Sequence, residues 1–377
     1  MTSPFVTKLV AELNRTVDPE AKAILRAELG CYWARVGEFD EVERLRQDLR
    51  REFGDARSAR VSILIMVMEA LQLYYKELSP GARDRMLRAN LLSKGFREPA
   101  LIARTSAWMA HMELNSARFD AMISELRTTL ESMQPGDDGT ECRVSLVFGD
   151  ACLIAGLPLE SQAWYERARR AANRLGDHAA VGAMTYNRAA LRVARCRYER
   201  LMARDGSIDT SLLRLDVESA INYQSVARLR SLDHLLKTTK VGLLLIQENC
   251  LEAIPYIEDL LTSTEVAQDS AQRLLLMADY SFALASTGMI NEAVNRLNTV
   301  LEKLTRSVPT DDHCLILASL RSAASLCNIE EMRIDLGHRL HEALAKHESI
   351  TEELRGKLLA FDVPVLNSGR ANARRTD

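Results

Sequence analysis

Apolar side chains recur at three- and four-residue steps through nearly the whole chain, and only short turns interrupt them. A sequence patterned this way folds as amphipathic helices, each with a stripe that must be buried. Over 151–173 the larger apolar residues follow that spacing, and Arg or Glu fills the other faces. The breaks fall at 15–19, 54–55, 79–81, 134–139, 176–177, 205–207 and 307–310. Several carry helix-start chemistry, such as Ser79-Pro80 and Thr310-Asp311-Asp312. No strand-like alternation bounded by hairpin turns is present. With 17 Gly and 9 Pro in 377 residues, the chain is also poor in the turn residues that a β-sandwich or an α/β enzyme of this size needs.

Short loops make neighbouring helices antiparallel, so hairpins stacked on hairpins bury the most stripes with the least chain. A recurrent spacing supports this. Leu29-Gly30 is followed by Gly37 and then Glu41-Val42. Phe148-Gly149 is followed at the same interval by Gly156 and Glu160-Ser161, and Tyr280-Ser281 by Gly288 and Glu292-Ala293. Glu252-Ala253, after a turn at Asn249, keeps the latter half. The small residue in the first helix allows the second to approach closely. The later Gly, or Asn, supplies the left-handed conformation that ends the first helix. Trp33, Tyr165 and Leu297 are the large residues expected to fill the spaces between hairpins.

These residues carry a resemblance. Leu29-Gly30-x-x-Trp33-x-x-x-Gly37-x-Phe39-x-x-Val42 resembles a tetratricopeptide repeat, as do 148–168 and 280–293. The likeness extends over 19–348 in degenerate form, with the family's terminal Pro mostly absent and a pitch that in places exceeds the usual ~34 residues. It is similar to the sensory helical arrays of bacterial signalling regulators, but no output domain is visible. The resemblance implies an all-α, TPR-like α-solenoid of about eight hairpins, near 19–53, 55–95, 98–133, 138–175, 178–230, 234–264, 267–306 and 310–347. A lead helix lies within 1–18, a capping helix over 349–365 and a frayed tail over 366–377, where Arg370, Arg374 and Arg375 make a local basic end. A sub-division at the 134–140 turn is left open.

The same resemblance implies a concave surface lined by first helices, on which an Asn grips a partner's main chain. Tyr186-Asn187-Arg188 matches that local pattern. Asn187 is the expected backbone clamp, and Arg188 or Arg192 the partner for a carboxylate. Thr238, Thr239 and Lys240 occupy the corresponding helix of the next hairpin, and Arg104 with Thr105 an earlier one. The expected function is a protein- or peptide-binding scaffold in a bacterial regulatory or adaptor role. The alternative is a ligand- or peptide-responsive sensor acting on an effector in trans. A more remote alternative is a response-regulator phosphatase, for which Glu43 and Gln47 share one helix.

Other chemistry is sparse. Net charge is −3, from 49 basic and 52 acidic residues, which gives no electrostatic case for a nucleic-acid partner. The longest apolar runs are too short or interrupted for a membrane span, and the N-terminal residues lack signal-peptide character. Seven scattered cysteines without a C-x-x-C fit a reducing, cytoplasmic setting. No phosphate loop or nucleophile elbow occurs, and no cofactor is implied. Asp335, His338 and His341 share a helix face, but a structural metal site draws four ligands from more than one segment, so they read as a polar outer face. His341 and His347 are six apart, which puts them on different faces rather than in a metalloprotease motif. Asp205 to Asp209 resembles part of a calcium loop, but the remaining ligand positions are Leu201, Ala203 and Leu212. His313-Cys314 reads as structural. A terminal amphipathic segment over 351–361, with Leu354, Leu358 and Leu359, can cap its own stack or pair with a second copy.

Overall fold

The computed structural model describes residues 3–53, 58–202, 210–231, 233–263, 266, 270–304 and 308–361. Among them the chain is all-α, with no strand. The turn at 54–55, the calcium-loop-like segment at 205–209 and the tail at 366–377 lie outside the described residues.

The chain divides into two compact units. The first comprises 1–187, 222–232 and 354–377, and the second 188–221 and 233–353. The 134–140 turn lies inside the first unit. No helix among the described residues is long and apolar enough to cross a membrane.

The first unit opens with α1 (Pro4–Arg15). Four hairpins follow: α2 (Pro19–Val36) with α3 (Phe39–Phe53), α4 (Ala59–Glu77) with α5 (Gly81–Phe96), α6 (Pro99–Asn115) with α7 (Phe119–Ser132), and α8 (Asp138–Ile154) with α9 (Pro158–Leu175). α10 (His178–Leu201) begins in this unit. Asp18 caps α2 by accepting from the Ala21 amide at 2.7 Å, and Asp137 caps α8 by accepting from Thr140 at 3.0 Å. The spaced small residues mark close approaches. A Cβ on Gly30 would meet Leu45 of α3 at 3.0 Å and collide with Met68 of α4, and one on Gly149 would press the Tyr165 ring of α9 at 3.2 Å. Gly37 (φ 89°) and Gly156 (φ 71°) end their helices in the left-handed conformation.

Between hairpins, Glu69 of α4 is buried and faces Arg46 and Arg50 of α3 and Arg85 of α5. The two ends of the unit meet. Arg35 of α2 donates to Asp177, just before α10, at 2.7 Å. The Arg230 amide donates to the Val36 carbonyl at 2.9 Å, and the Ser231 hydroxyl to the Arg35 carbonyl at 2.6 Å.

The second unit holds the rest of α10, most of α11 (Thr210–Ala227), then α12 (Asp233–Ile246) with α13 (Cys250–Thr262), α14 (Ala271–Ser286) with α15 (Ile290–Lys303), and α16 (Thr310–Leu326) with most of α17 (Glu330–Ala360). Its apolar core runs through α12 to α17 and includes Leu244, Ile257, Leu276, Leu297, Leu317 and Leu336. Ser281 replaces the packing glycine, and its hydroxyl donates to the Ala293 carbonyl of α15 at 2.8 Å.

Two expectations are corrected here. The expected turn residue Asn249 is not left-handed; Glu248 is (φ 61°), and Asn249 takes the N-cap position of α13 without a side-chain capping bond. The expected separate helices of the last hairpin and the cap are one continuous α17, because 346–351 contains neither Gly nor Pro to stop it. Its C-terminal end belongs to the first unit, where Leu354 and Leu358 are buried and the Phe361 ring lies 5.6 Å from Phe148.

Candidate functional site

In the first unit, the first helices of successive hairpins surround a half-open hollow of about 220 Å³. The contributions are Glu28, Cys31 and Arg35 from α2, Val67 and Leu71 from α4, Arg104 and Trp108 from α6, Cys142 and Arg143 from α8, and Ala180 from α10. Phe5 of α1 and the 136–140 turn complete the wall.

Three arginines face this space in different electrostatic states. Arg35 is paired with Asp177, which more than offsets the burial that works against its charge, so its guanidinium is held even more firmly protonated than usual. Arg104 is likewise raised against the cost of burial by Glu28, to which it donates. Arg143 is 6% exposed and has no carboxylate or hydrogen-bond partner among the described residues. Its guanidinium lies over the Trp108 ring, 3.5 Å from the centroid. Burial pushes the Cys31 and Cys142 thiols up to about 12 and about 11, so both are protonated and inert at neutral pH.

Beyond Trp108 the same face continues as a polar network. The Tyr74 hydroxyl accepts from Asn115 at 2.8 Å and lies 3.0 Å from Nε2 of His111. Burial, reinforced by the charge of Arg143, pushes His111 down to about 3, so the ring is neutral. Deeper still, Asp150 of α8 accepts from the Tyr165 hydroxyl at 2.5 Å and from the Asn187 amide at 2.7 Å. Burial nevertheless pushes its carboxyl up to about 7.

The residues anticipated for the groove are therefore distributed and mostly engaged. Asn187 spends its amide N–H on Asp150. In the second unit, Arg188 donates to Asp216 of α11 at 2.7 Å and Arg192 donates to the same carboxylate, so these two converge. Thr238 donates to the His234 carbonyl and accepts from Gln272, both at 2.9 Å, and Thr239 turns back on the Leu235 carbonyl at 3.0 Å. Thr105 likewise donates to the Leu101 carbonyl at 2.8 Å. Lys240 is half-buried and has no ion pair among the described residues. Arg104 belongs to the hollow of the first unit.

The second unit has its own inner polar link. Arg197 of α10 forks onto Asp279 of α14 at 2.6 and 3.0 Å, and Ser319 of α16 donates to the same carboxylate at 2.6 Å. Glu43 and Gln47 sit in a surface network in which Gln47 donates to Glu43 at 2.8 Å and Arg46 donates at 3.0 Å. Asp335 lies 3.6 Å from Arg339, and among the described residues no three His, Cys, Asp or Glu side chains converge as a metal site.

Sequence reasoning singled out Arg104 but passed over Arg143. The signal was available: each is the sixth residue of its helix, in α6 and in α8, so the repeat carries one arginine to the same inner position twice. Trp108 and Glu28 had no such marker, because their roles depend on side chains from other hairpins. No protein-family model matches this chain, and no curated protein matches it.

Proposed function

We propose that the chain is a tetratricopeptide-like helical-repeat scaffold that binds a protein or peptide partner along its inner helices, in a regulatory or adaptor role of the bacterial type. The observation that carries this reading is the hollow of the first unit. Three first helices, α2, α6 and α8, turn charged and aromatic side chains toward open space there, while α4 and α10 line it with Val67, Leu71 and Ala180. Such faces suit a partner that contributes a few anchors over a wide contact. Arg188, about half exposed although bonded to Asp216, and half-buried Lys240 are inner-helix cations of the second unit suited to a partner's acidic groups.

A photo-cross-linking side chain placed in turn at Arg188, at Lys240 and at Arg169, an exposed position on the second helix α9, tests this. Adducts to one partner should concentrate at Arg188 and Lys240. Equal labelling from Arg169, or labelling from Arg169 alone, would remove the inner helices as the binding face. A second reading, a sensor that passes a ligand signal to an effector in trans, is favoured by the half-open form of the same hollow.

A further inference from the structure

Beside Arg143, three other arginines of the inner helices, all partly buried, come with carboxylates. Arg35 has Asp177, Arg104 has Glu28 and Arg197 has Asp279. Arg143 has no carboxylate in ion-pair contact among the described residues, although it is 6% exposed; its charge acts on the Asp150 carboxyl without such contact. A buried guanidinium without a counter-charge is costly, because desolvation is not recovered by pairing. Stacking on Trp108 offsets part of that cost but satisfies none of the five N–H donors. These donors are not sealed in. Arg143 lines the hollow, and no Arg143 atom is among the enclosed side-chain atoms that lack a partner. The guanidinium edge therefore opens on the cavity.

The surroundings narrow what would fill it. Arg35 and Arg104 are already paired, so Arg143 is the arginine of this wall left without an ion pair among the described residues. Asp138 is paired with Arg174, but Asp137, also on the wall, disfavours a ligand of higher negative charge, since like charges repel strongly in a half-buried site. The wall also has apolar members, Phe5, Val67, Leu71 and Leu175. A cavity of ~150 Å³ holds a benzene ring, and this one, about 220 Å³, has room for a ring-sized body and a carboxylate. We propose that the hollow of the first unit binds a small organic monocarboxylate, with its carboxylate on the Arg143 guanidinium and its apolar body against Val67, Leu71 and Phe5. The inference depends on neither the scaffold nor the sensor reading, and either can fail without touching it.

The test uses the full chain with phenylacetate, benzoate and isovalerate as probes, phenylacetamide as the neutral isostere, and inorganic phosphate. Calorimetry and thermal shift are read together. At least one carboxylate should bind at or below about 10 mM, with phenylacetamide and phosphate at least about tenfold weaker than the best of the three. Arg143→Met should weaken that carboxylate by at least about tenfold. The proposal is overturned if none of the three acids binds, if acid and amide bind alike, if phosphate matches the best carboxylate, or if a folded Arg143→Met retains full affinity. Should that variant not fold, the acid-against-amide comparison on the unaltered protein decides alone.

Discussion

Asp150 shows how a single inner-face residue ties stability to pH. Its carboxyl is buried on α8 and holds its proton up to about 7, well above its ordinary value of 3.8. The unfolded chain releases that proton near its ordinary value, and the folded chain keeps it until near 7. Between these limits the folded state binds more protons, so this group's contribution to stability falls as pH rises. Asp150→Asn preserves the shape and removes the titration. The unaltered protein should lose Tm relative to the variant as pH is raised from about 4 to about 8, by a few degrees at the upper end. Parallel Tm curves for the two proteins would show that Asp150 is ionised throughout. The sequence marks Asn187 as a polar residue of a first helix but not its occupation, because the partner carboxylate lies in the preceding hairpin. The same limit hid the pairing of Arg104 with Glu28 across three intervening helices.

The helix ends carry the most legible information at the level of the element. Gly37, Gly156 and Gly288 sit at positive φ, where the recurrent spacing places them. The equivalent positions elsewhere are Ala117 (φ 52°), Glu248 (φ 61°) and Asn328 (φ 56°). Counting back four residues from Glu252, as from Glu41, Glu160 and Glu292, lands on Glu248, so the spacing was a better guide than the identity of Asn249. Side chains other than glycine pay about 1–2 kcal/mol in this conformation. Ala117 is exposed, so Ala117→Gly should stabilise by up to about 1 kcal/mol, the relief of strain exceeding the added freedom of the unfolded chain. Gly156 has open space around its would-be Cβ, so Gly156→Ala should destabilise by about 1 kcal/mol for backbone reasons alone. Chemical denaturation of both variants checks the pair; shifts of the same sign would mean that something other than the left-handed conformation governs these turns. The continuity of α17 was less legible. Polarity around 346–351 looks like a loop, but polar residues without Gly or Pro continue a helix readily.

At the scale of the whole molecule, the division into units does not follow chain order, and periodicity has no means of announcing it. Each unit is assembled from separated stretches, with 222–232 belonging to the first although 188–221 and 233–353 belong to the second. The stretch is fixed by chemistry at both ends of its contact. Gly37 leaves no room for a Cβ, which would come within 2.8 Å of the Ser231 amide, and Gly182 admits Leu229, which clusters with Tyr32, Val36 and Ala179. The amide of Arg230 is bonded to the Val36 carbonyl of α2. Cooperative opening follows such contacts rather than sequence proximity. In native-state hydrogen exchange the Arg230 amide should therefore open with the amides at the C-terminal end of α2 and respond to a destabilising change there, such as Val36→Ala. Amides in α12, only a few residues further along the chain, should not follow. If Arg230 instead exchanges in step with α12 and ignores Val36→Ala, then 222–232 takes its stability from its neighbours in sequence, and the discontinuous first unit is not a folding unit.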